Sequence, residues 1–88
     1  VHFSSPYIPF LLSWPDNDVA VQYLTMAVET GQATLNQKNY LAQALYKQGK
    51  KIKAKTILME VISSQPQDEN LIEDINDIYE AKQILKDF

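Results

Sequence analysis

The sequence repeats its own apolar pattern at an offset of 34 residues. At this offset four pairs of positions carry small or aliphatic residues in both copies: Ala20 and Ala54, Leu24 and Leu58, Ala27 and Val61, and Val28 and Ile62. Within each copy these residues recur mainly at spacings of three and four, which places them on one helical face. A period of this length indicates stacked units of one kind, so the chain is predicted to consist of repeated amphipathic helices.

The same periodicity extends over most of the chain and predicts an all-α fold. Four helices are expected at about 16–30, 35–48, 51–64 and 70–87, and the short loops between them favour antiparallel neighbours. The inward faces are predicted to carry Ala20, Tyr23, Leu24, Ala27 and Val28; Leu41, Ala44 and Leu45; Ile52, Ala54, Ile57, Leu58, Val61 and Ile62; and Leu71, Ile75, Ile78, Tyr79 and Leu85.

Glycine, proline and capping residues mark where these helices end and begin. Gly31 and Gly49 follow two of the apolar stripes, and glycine tolerates the left-handed conformation that often ends a helix. Thr34 with Gln37 has the spacing of a capping box, and Pro66 prevents the third helix from continuing.

Acidic and amide side chains are predicted to cap the other two helix starts. Asp16 or Asp18 can accept the free amides of the first helix, and Asn70 with Glu73 can do the same for the fourth.

The first 15 residues differ from the rest, because they contain three prolines and no charged residue. We expect an irregular, apolar segment there, since proline removes backbone donors and clashes inside a helix. Its large side chains are predicted to form an interface: Phe3, Tyr7, Phe10, Leu11 and Trp14. Two alternatives remain open. The segment folds back over the helices, or it docks on a second copy or on another part of a longer parent protein, which would give a homo-oligomer.

Composition narrows the possible functions. The 88 residues suffice for one domain, and the formal charge of −3 comes from eight Lys, no Arg and eleven acidic residues. Proteins that bind nucleic acid usually present a basic face with arginine, so nucleic-acid binding is not expected. The absence of Cys excludes a thiol nucleophile, and no apolar run approaches the roughly 20 residues of a membrane span.

No set of residues indicates catalysis or a metal site. His2 is the only histidine, and Gly31 and Gly49 are too far apart for a phosphate-binding loop. Acidic residues Glu69, Glu73, Asp77 and Glu80 share one helical face, but calcium-type sites take ligands from a loop, so a solvated acidic face is the favoured interpretation. The chain is therefore predicted not to be an enzyme and to hold neither cofactor nor metal.

The one run of positive charge is Lys47, Lys50, Lys51, Lys53 and Lys55. It could form a patch for an acidic partner or an anionic membrane surface. A solvated turn is favoured, because lysines near a helix C-terminus suit the helix dipole.

Residues 35–68 resemble one complete tetratricopeptide repeat. Leu41-Ala42 matches the family's large–small pair, and the other matching positions are Leu45, Gly49, Ala54, Leu58 and Pro66. Residues 15–34 resemble the second helix of a preceding repeat, and residues 69–88 resemble a closing helix with Ile75 and Tyr79 in its apolar slots. The chain departs from the pattern at three positions: Gln32 in place of proline, Lys38 in place of tryptophan, and Val61 in place of alanine.

The resemblance implies helical hairpins that stack into a superhelix and bind a protein or peptide on the concave face. Transferred to this sequence, the groove would be lined by Asn36, Asn39, Gln43 and Tyr46 of the second helix and by Glu73 and Asp77 of the fourth. The alternative is that these residues form only the solvated stripe of amphipathic helices.

We therefore expect a protein-interaction or scaffolding module. The alternative is an accessory domain that stabilises or dimerises a larger protein, of which this chain would be the C-terminal part. The residues themselves do not indicate a compartment. The nearest subtype is bacterial and often exported, so the resemblance implies an envelope or periplasmic location.

Overall fold

A computed structural model of the protein describes residues 17–88. It contains four α-helices, α1 (Asn17–Glu29), α2 (Leu35–Lys47), α3 (Lys51–Ile62) and α4 (Leu71–Lys86), with a short 3-10 helix (Asp68–Asn70) before α4. No strand occurs within these residues, so the predicted all-α fold of helical hairpins is confirmed. Each helix begins and ends within two residues of its predicted range. The apolar segment 1–15 and Asp16 lie outside the described residues.

Both glycines end a helix, as their positions in the sequence predict. Gly31 has a φ of 75° and Gly49 a φ of 84°, in the left-handed region that favours glycine. After α1 the amide of Gly31 donates to the Val28 carbonyl at 3.0 Å, and the amide of Gln32 donates to the Ala27 carbonyl at 3.1 Å. This pair of bonds satisfies two carbonyls that the helix leaves unpaired, and the same pattern follows α2.

The start of α2 is held by the predicted capping box. The Thr34 hydroxyl accepts the Gln37 amide at 3.1 Å, and the Gln37 side chain accepts the Thr34 amide at 3.0 Å. Two of the free amides at this helix end are thereby satisfied.

The start of α4 differs from its predicted cap. The Asn70 side chain makes no capping hydrogen bond, so the expected pairing with Glu73 is wrong. The chain instead turns through the 3-10 helix, and Asp74 accepts the backbone amide of Gln67 at 2.8 Å. The carboxylate therefore fastens the preceding loop rather than the helix end itself.

The core is built around α2, which contacts all three of the other helices. Every residue from 39 to 45 is buried, because α2 has neighbours on nearly all sides. The apolar core comprises Leu24, Tyr40, Leu41, Ala42, Ala44, Leu45, Ala54, Leu58, Val61, Ala81 and Ile84. Polar bonds add to the α1–α2 contact, since Asn17 donates to the Ala44 carbonyl at 3.0 Å and Gln48 donates to Asp18 at 2.6 Å.

Several residues predicted to face inward are exposed. The prediction is wrong for Tyr23 and Ile52, whose side chains are 54% and 84% exposed. It is also wrong for much of α4, where Leu71, Ile75 and Tyr79 are 46%, 50% and 60% exposed. The buried residues of α4 are Asp77, Ala81 and Ile84, on the opposite side of the helix. Within the described chain the main contacts of α4 are with α2, α3 and the 3-10 helix, and the side of α4 that carries Leu71, Ile75 and Tyr79 stays exposed.

Candidate binding cleft

A cleft of about 640 Å³ opens where the starts of α2 and α4 come together. It is lined by residues 33–36 from the α1–α2 loop and the first turn of α2, and by Ser64, Gln65, Gln67 and Asn70 before α4. Three carboxylates from the first turns of α4 complete the lining: Glu73, Asp74 and Asp77. No Lys or Arg is among the lining residues, so we call this site the acidic cleft.

The acidic cleft brings together half of the residues that were predicted to bind a partner. Asn36, Glu73 and Asp77 all line it, although they come from two helices that are far apart in sequence. Glu73 is exposed at the cleft, Asn36 is half-buried and Asp77 is 9% exposed.

Asn39 and Gln43 do not line an open groove, which corrects that part of the prediction. Asn39 is fully buried, and its side-chain amide donates to the backbone carbonyl of Asp77 at 2.9 Å. Gln43 is 6% exposed, with its amide 3.5 Å from the Asn39 carbonyl. Because a buried polar group is costly unless it is hydrogen-bonded, the role that this structure gives Asn39 is to fix the α2–α4 contact.

Tyr46 lies at the other end of α2, away from the acidic cleft. Its ring stacks on Phe88, with ring centroids 4.1 Å apart and planes at 16°, and the Lys51 ammonium lies 5.6 Å from the Tyr46 centroid. This aromatic contact fastens the end of the chain to α2. That Tyr46 lines a binding groove remains a prediction. The sequence pattern did not identify Phe88 as its contact.

Tyr40 is a polar residue of the α2–α4 contact that was not predicted as part of the site. It is 9% exposed and one helical turn after Asn36, so the spacing of four residues was the signal that could have identified it. Burial raises the pKa of the Tyr40 phenol, a hydrogen bond with Asn36 opposes the rise, and the charge of Asp77 adds to it. The folded protein therefore favours the neutral phenol.

The raised pKa of Tyr40 predicts a loss of stability in alkali. A phenol whose folded pKa exceeds its unfolded value of 10.0 stabilises the fold fully below about pH 10. This contribution disappears as the pH rises through the folded pKa. We expect Tyr40→Phe, which cannot ionise, to lose less unfolding free energy between about pH 9 and pH 11 than the unmodified chain in urea titrations. Tyr79→Phe is the control because Tyr79 is 60% exposed, and an equal loss in all three proteins would contradict the prediction.

The remaining candidates lie elsewhere. Lys47, Lys50, Lys51, Lys53 and Lys55 are exposed, and His2 lies outside the described residues. Among residues 17–88, no group of three or more His, Cys, Asp or Glu is placed to hold a metal ion. No helix in this part of the chain is long and apolar enough to cross a membrane.

Comparison of the chain with models of protein families, with curated proteins and with solved structures finds no match.

Proposed function

We propose that this chain is a protein-interaction module of the tetratricopeptide kind, which acts by binding rather than by catalysis. The acidic cleft is the observation that carries the proposal. Its volume of about 640 Å³ lies within the roughly 300–1,000 Å³ of typical ligand sites and suits a few residues of a peptide. The motif residues Leu41-Ala42, Ala54 and Pro66 support the assignment to this family.

The negative charge of the acidic cleft indicates that its ligand carries positive charge. Glu73, Asp74 and Asp77 line one wall, and no basic side chain lines the other. Carboxylates accept hydrogen bonds and attract cations, whereas an acidic segment would be repelled. The proposed ligand is therefore an extended peptide segment with lysine side chains, whose ammonium groups contact this wall.

A peptide titration followed by NMR tests the proposal. The probe is an acetylated peptide of about eight residues with alternating lysine and alanine, added to the ¹⁵N-labelled full chain. We expect amide shifts to concentrate at residues 33–36, 64–67 and 73–77, and a peptide with glutamate in place of lysine to leave them unchanged.

Two variants with the same net charge distinguish binding at the acidic cleft from non-specific attraction between the basic peptide and the acidic protein. Glu73→Lys replaces a carboxylate of the cleft, and Asp87→Lys makes the same change in charge at an exposed position past the far end of α4, about 20 Å from Glu73 at about 1.5 Å per residue. We expect Glu73→Lys to weaken peptide binding about tenfold or more. The control variant should have little effect, because salt screens an exposed charge that lies more than a Debye length from the bound peptide. Equal weakening by both variants, or shifts spread over all four helices, would exclude the acidic cleft as the binding site.

A further inference from the structure

The outward side of α4 carries an apolar stripe that nothing in the described chain covers. Its members are Leu71, Ile72, Ile75 and Tyr79, with exposed fractions of 46%, 73%, 50% and 60%. They lie on the opposite side of the helix from the buried Asp77, Ala81 and Ile84. A surface helix normally turns only one apolar face to its core, so a second face of this kind indicates an interface. We call these four residues the α4 stripe.

The 34-residue repeat indicates that a helix fits this stripe. Ile75 and Tyr79 follow Leu41 and Leu45 by that interval, and Leu41 and Leu45 are only 2% and 5% exposed. Those two leucines are buried because α2 has helices around it, whereas α4 is the last helix of the described residues and has fewer neighbours. Ile75 and Tyr79 of the α4 stripe thus occupy positions that are covered in the preceding unit.

The charges at the two ends of the α4 stripe indicate which helix would pack against it. Asp68 and Glu69 are exposed just before its first residue. Lys82 and Lys86 are exposed beyond its last, at helical spacings of seven and eleven residues from Ile75 that place them on the same face. From start to end the surface therefore changes from acidic to apolar to basic. An antiparallel copy of this surface is complementary to it in both charge and hydrophobicity, whereas a parallel copy would oppose like charges.

We propose that two copies of the chain associate through an antiparallel pairing of their α4 stripes. A two-fold axis at the height of Ile75, the midpoint of the α4 stripe from Leu71 to Tyr79, places Leu71 against the partner's Tyr79 and Asp68 against the partner's Lys82. The same register brings the acidic end of each copy to the lysines of the other. This pairing is isologous, so it closes at two chains.

A second surface is less complementary. The outward residues of α1, Val19, Tyr23 and Met26, are also exposed, but Asp18 and Glu29 flank them. With acidic residues at both ends, α1 would oppose the acidic end of α4. The charge pattern therefore favours the pairing of α4 with α4.

The size of the contact sets the expected strength. The surface from residue 68 to 86 is about 27 Å long at about 1.5 Å per residue. One helix pair of this length buries on the order of 1,000 Å² in total, at the lower limit of specific interfaces. The dimer is therefore expected to be weak and to form in concentrated solution.

Sedimentation equilibrium of the full 88-residue chain between about 10 µM and 1 mM tests the proposal, with a matched pair of variants. Ile72→Glu places a charge in the α4 stripe, and Ile52→Glu makes the same change on α3, where the side chain is 84% exposed. We expect the unmodified chain and Ile52→Glu to dimerise alike, and Ile72→Glu to weaken association at least tenfold. A chain that stays monomeric at 1 mM, or a larger effect of Ile52→Glu, would overturn the proposal. Circular dichroism establishes that each variant keeps its helices.

Charge reversal at the two ends tests the antiparallel orientation. Asp68→Lys with Glu69→Lys makes both ends of the stripe basic, and Lys82→Glu with Lys86→Glu makes both ends acidic. Each double variant is expected to dimerise less than the unmodified chain, because like charges then meet at both ends of its homodimer. Mixing the two restores association as a heterodimer, since each basic end now meets an acidic one.

Double variants with the same net charges serve as controls. Lys53→Glu with Lys55→Glu and Glu29→Lys with Glu60→Lys change exposed residues outside α4. We expect both to dimerise like the unmodified chain. If the α4 double variants dimerise undiminished on their own, or fail to combine when mixed, the antiparallel α4 pairing is wrong. The acidic cleft is tested separately by Glu73→Lys, which lies outside the α4 stripe, so a loss of peptide binding and a loss of dimerisation can be distinguished.

Discussion

Leu58→Ala is expected to lower the free energy of unfolding by about 2–5 kcal/mol, because it removes buried methyl groups and leaves a cavity. Leu58 is 0% exposed and belongs to the single core cluster shared by all four helices. It projects from α3, which contacts both α2 and α4, so the cavity would weaken two helix contacts together. A chain of 88 residues has a total stability of about 4–13 kcal/mol, and this loss is a large part of it.

Urea unfolding followed by circular dichroism measures the effect of Leu58→Ala. The matched control is Met59→Ala, one residue further along α3, where the side chain is 57% exposed. We expect the control to change the unfolding free energy by less than about 0.5 kcal/mol, as is usual at surface positions. Equal effects at residues 58 and 59 would show that α3 does not present the face that the structure gives it.

Ala54→Leu is expected to destabilise the fold by about 1–3 kcal/mol for the opposite reason, since it adds volume where none is free. Ala54 and Ala42 are both 0% exposed in the core, on the two helices of the α2–α3 hairpin. Helices approach closely only where their facing side chains are small. A leucine at residue 54 would push α3 away from α2 or adopt an unfavourable side-chain conformation.

The matched control for Ala54→Leu is Lys55→Leu, since Lys55 is the exposed neighbour of Ala54. Leucine and lysine have similar helix propensities, so Lys55→Leu should leave the melting temperature nearly unchanged. For Ala54→Leu we expect a fall of about 4–8 °C for each kcal/mol lost. An unchanged melting temperature for Ala54→Leu would contradict the close helix contact and the small-residue role that the tetratricopeptide resemblance gives this position.

Local chemistry made the helix boundaries predictable. Gly31 and Gly49 end their helices in the left-handed conformation, and Thr34 with Gln37 forms the expected capping box. These signals act over a few residues, so neighbours in sequence suffice to identify them. The start of α4 was less predictable, because Asp74 bonds to the loop seven residues earlier rather than to its own helix end.

The candidate site was predictable only in part. The tetratricopeptide resemblance assigned Asn36 and Glu73 to a common surface, and both line the acidic cleft. Asn39 has the same kind of side chain as Asn36 and lies on the same helix, yet it is fully buried against Asp77. Polarity alone does not distinguish the two, since an amide donor can be buried where a backbone carbonyl accepts its hydrogen bond, as the Asp77 carbonyl does for Asn39.

By itself the sequence determined the helices, their ends and the 34-residue repeat, because these depend on local capping and on residue spacing. The tertiary structure alone decided which side of each helix is buried. The α4 helix has apolar residues on two sides, and periodicity selected Ile75 and Tyr79, whereas packing selected Ala81 and Ile84. The physical reason is that, within the described residues, α4 packs against α2 and α3 on one side. The small Ala81 and the Asn39 bond to Asp77 suit the buried side, and the larger apolar residues Leu71, Ile75 and Tyr79 remain exposed.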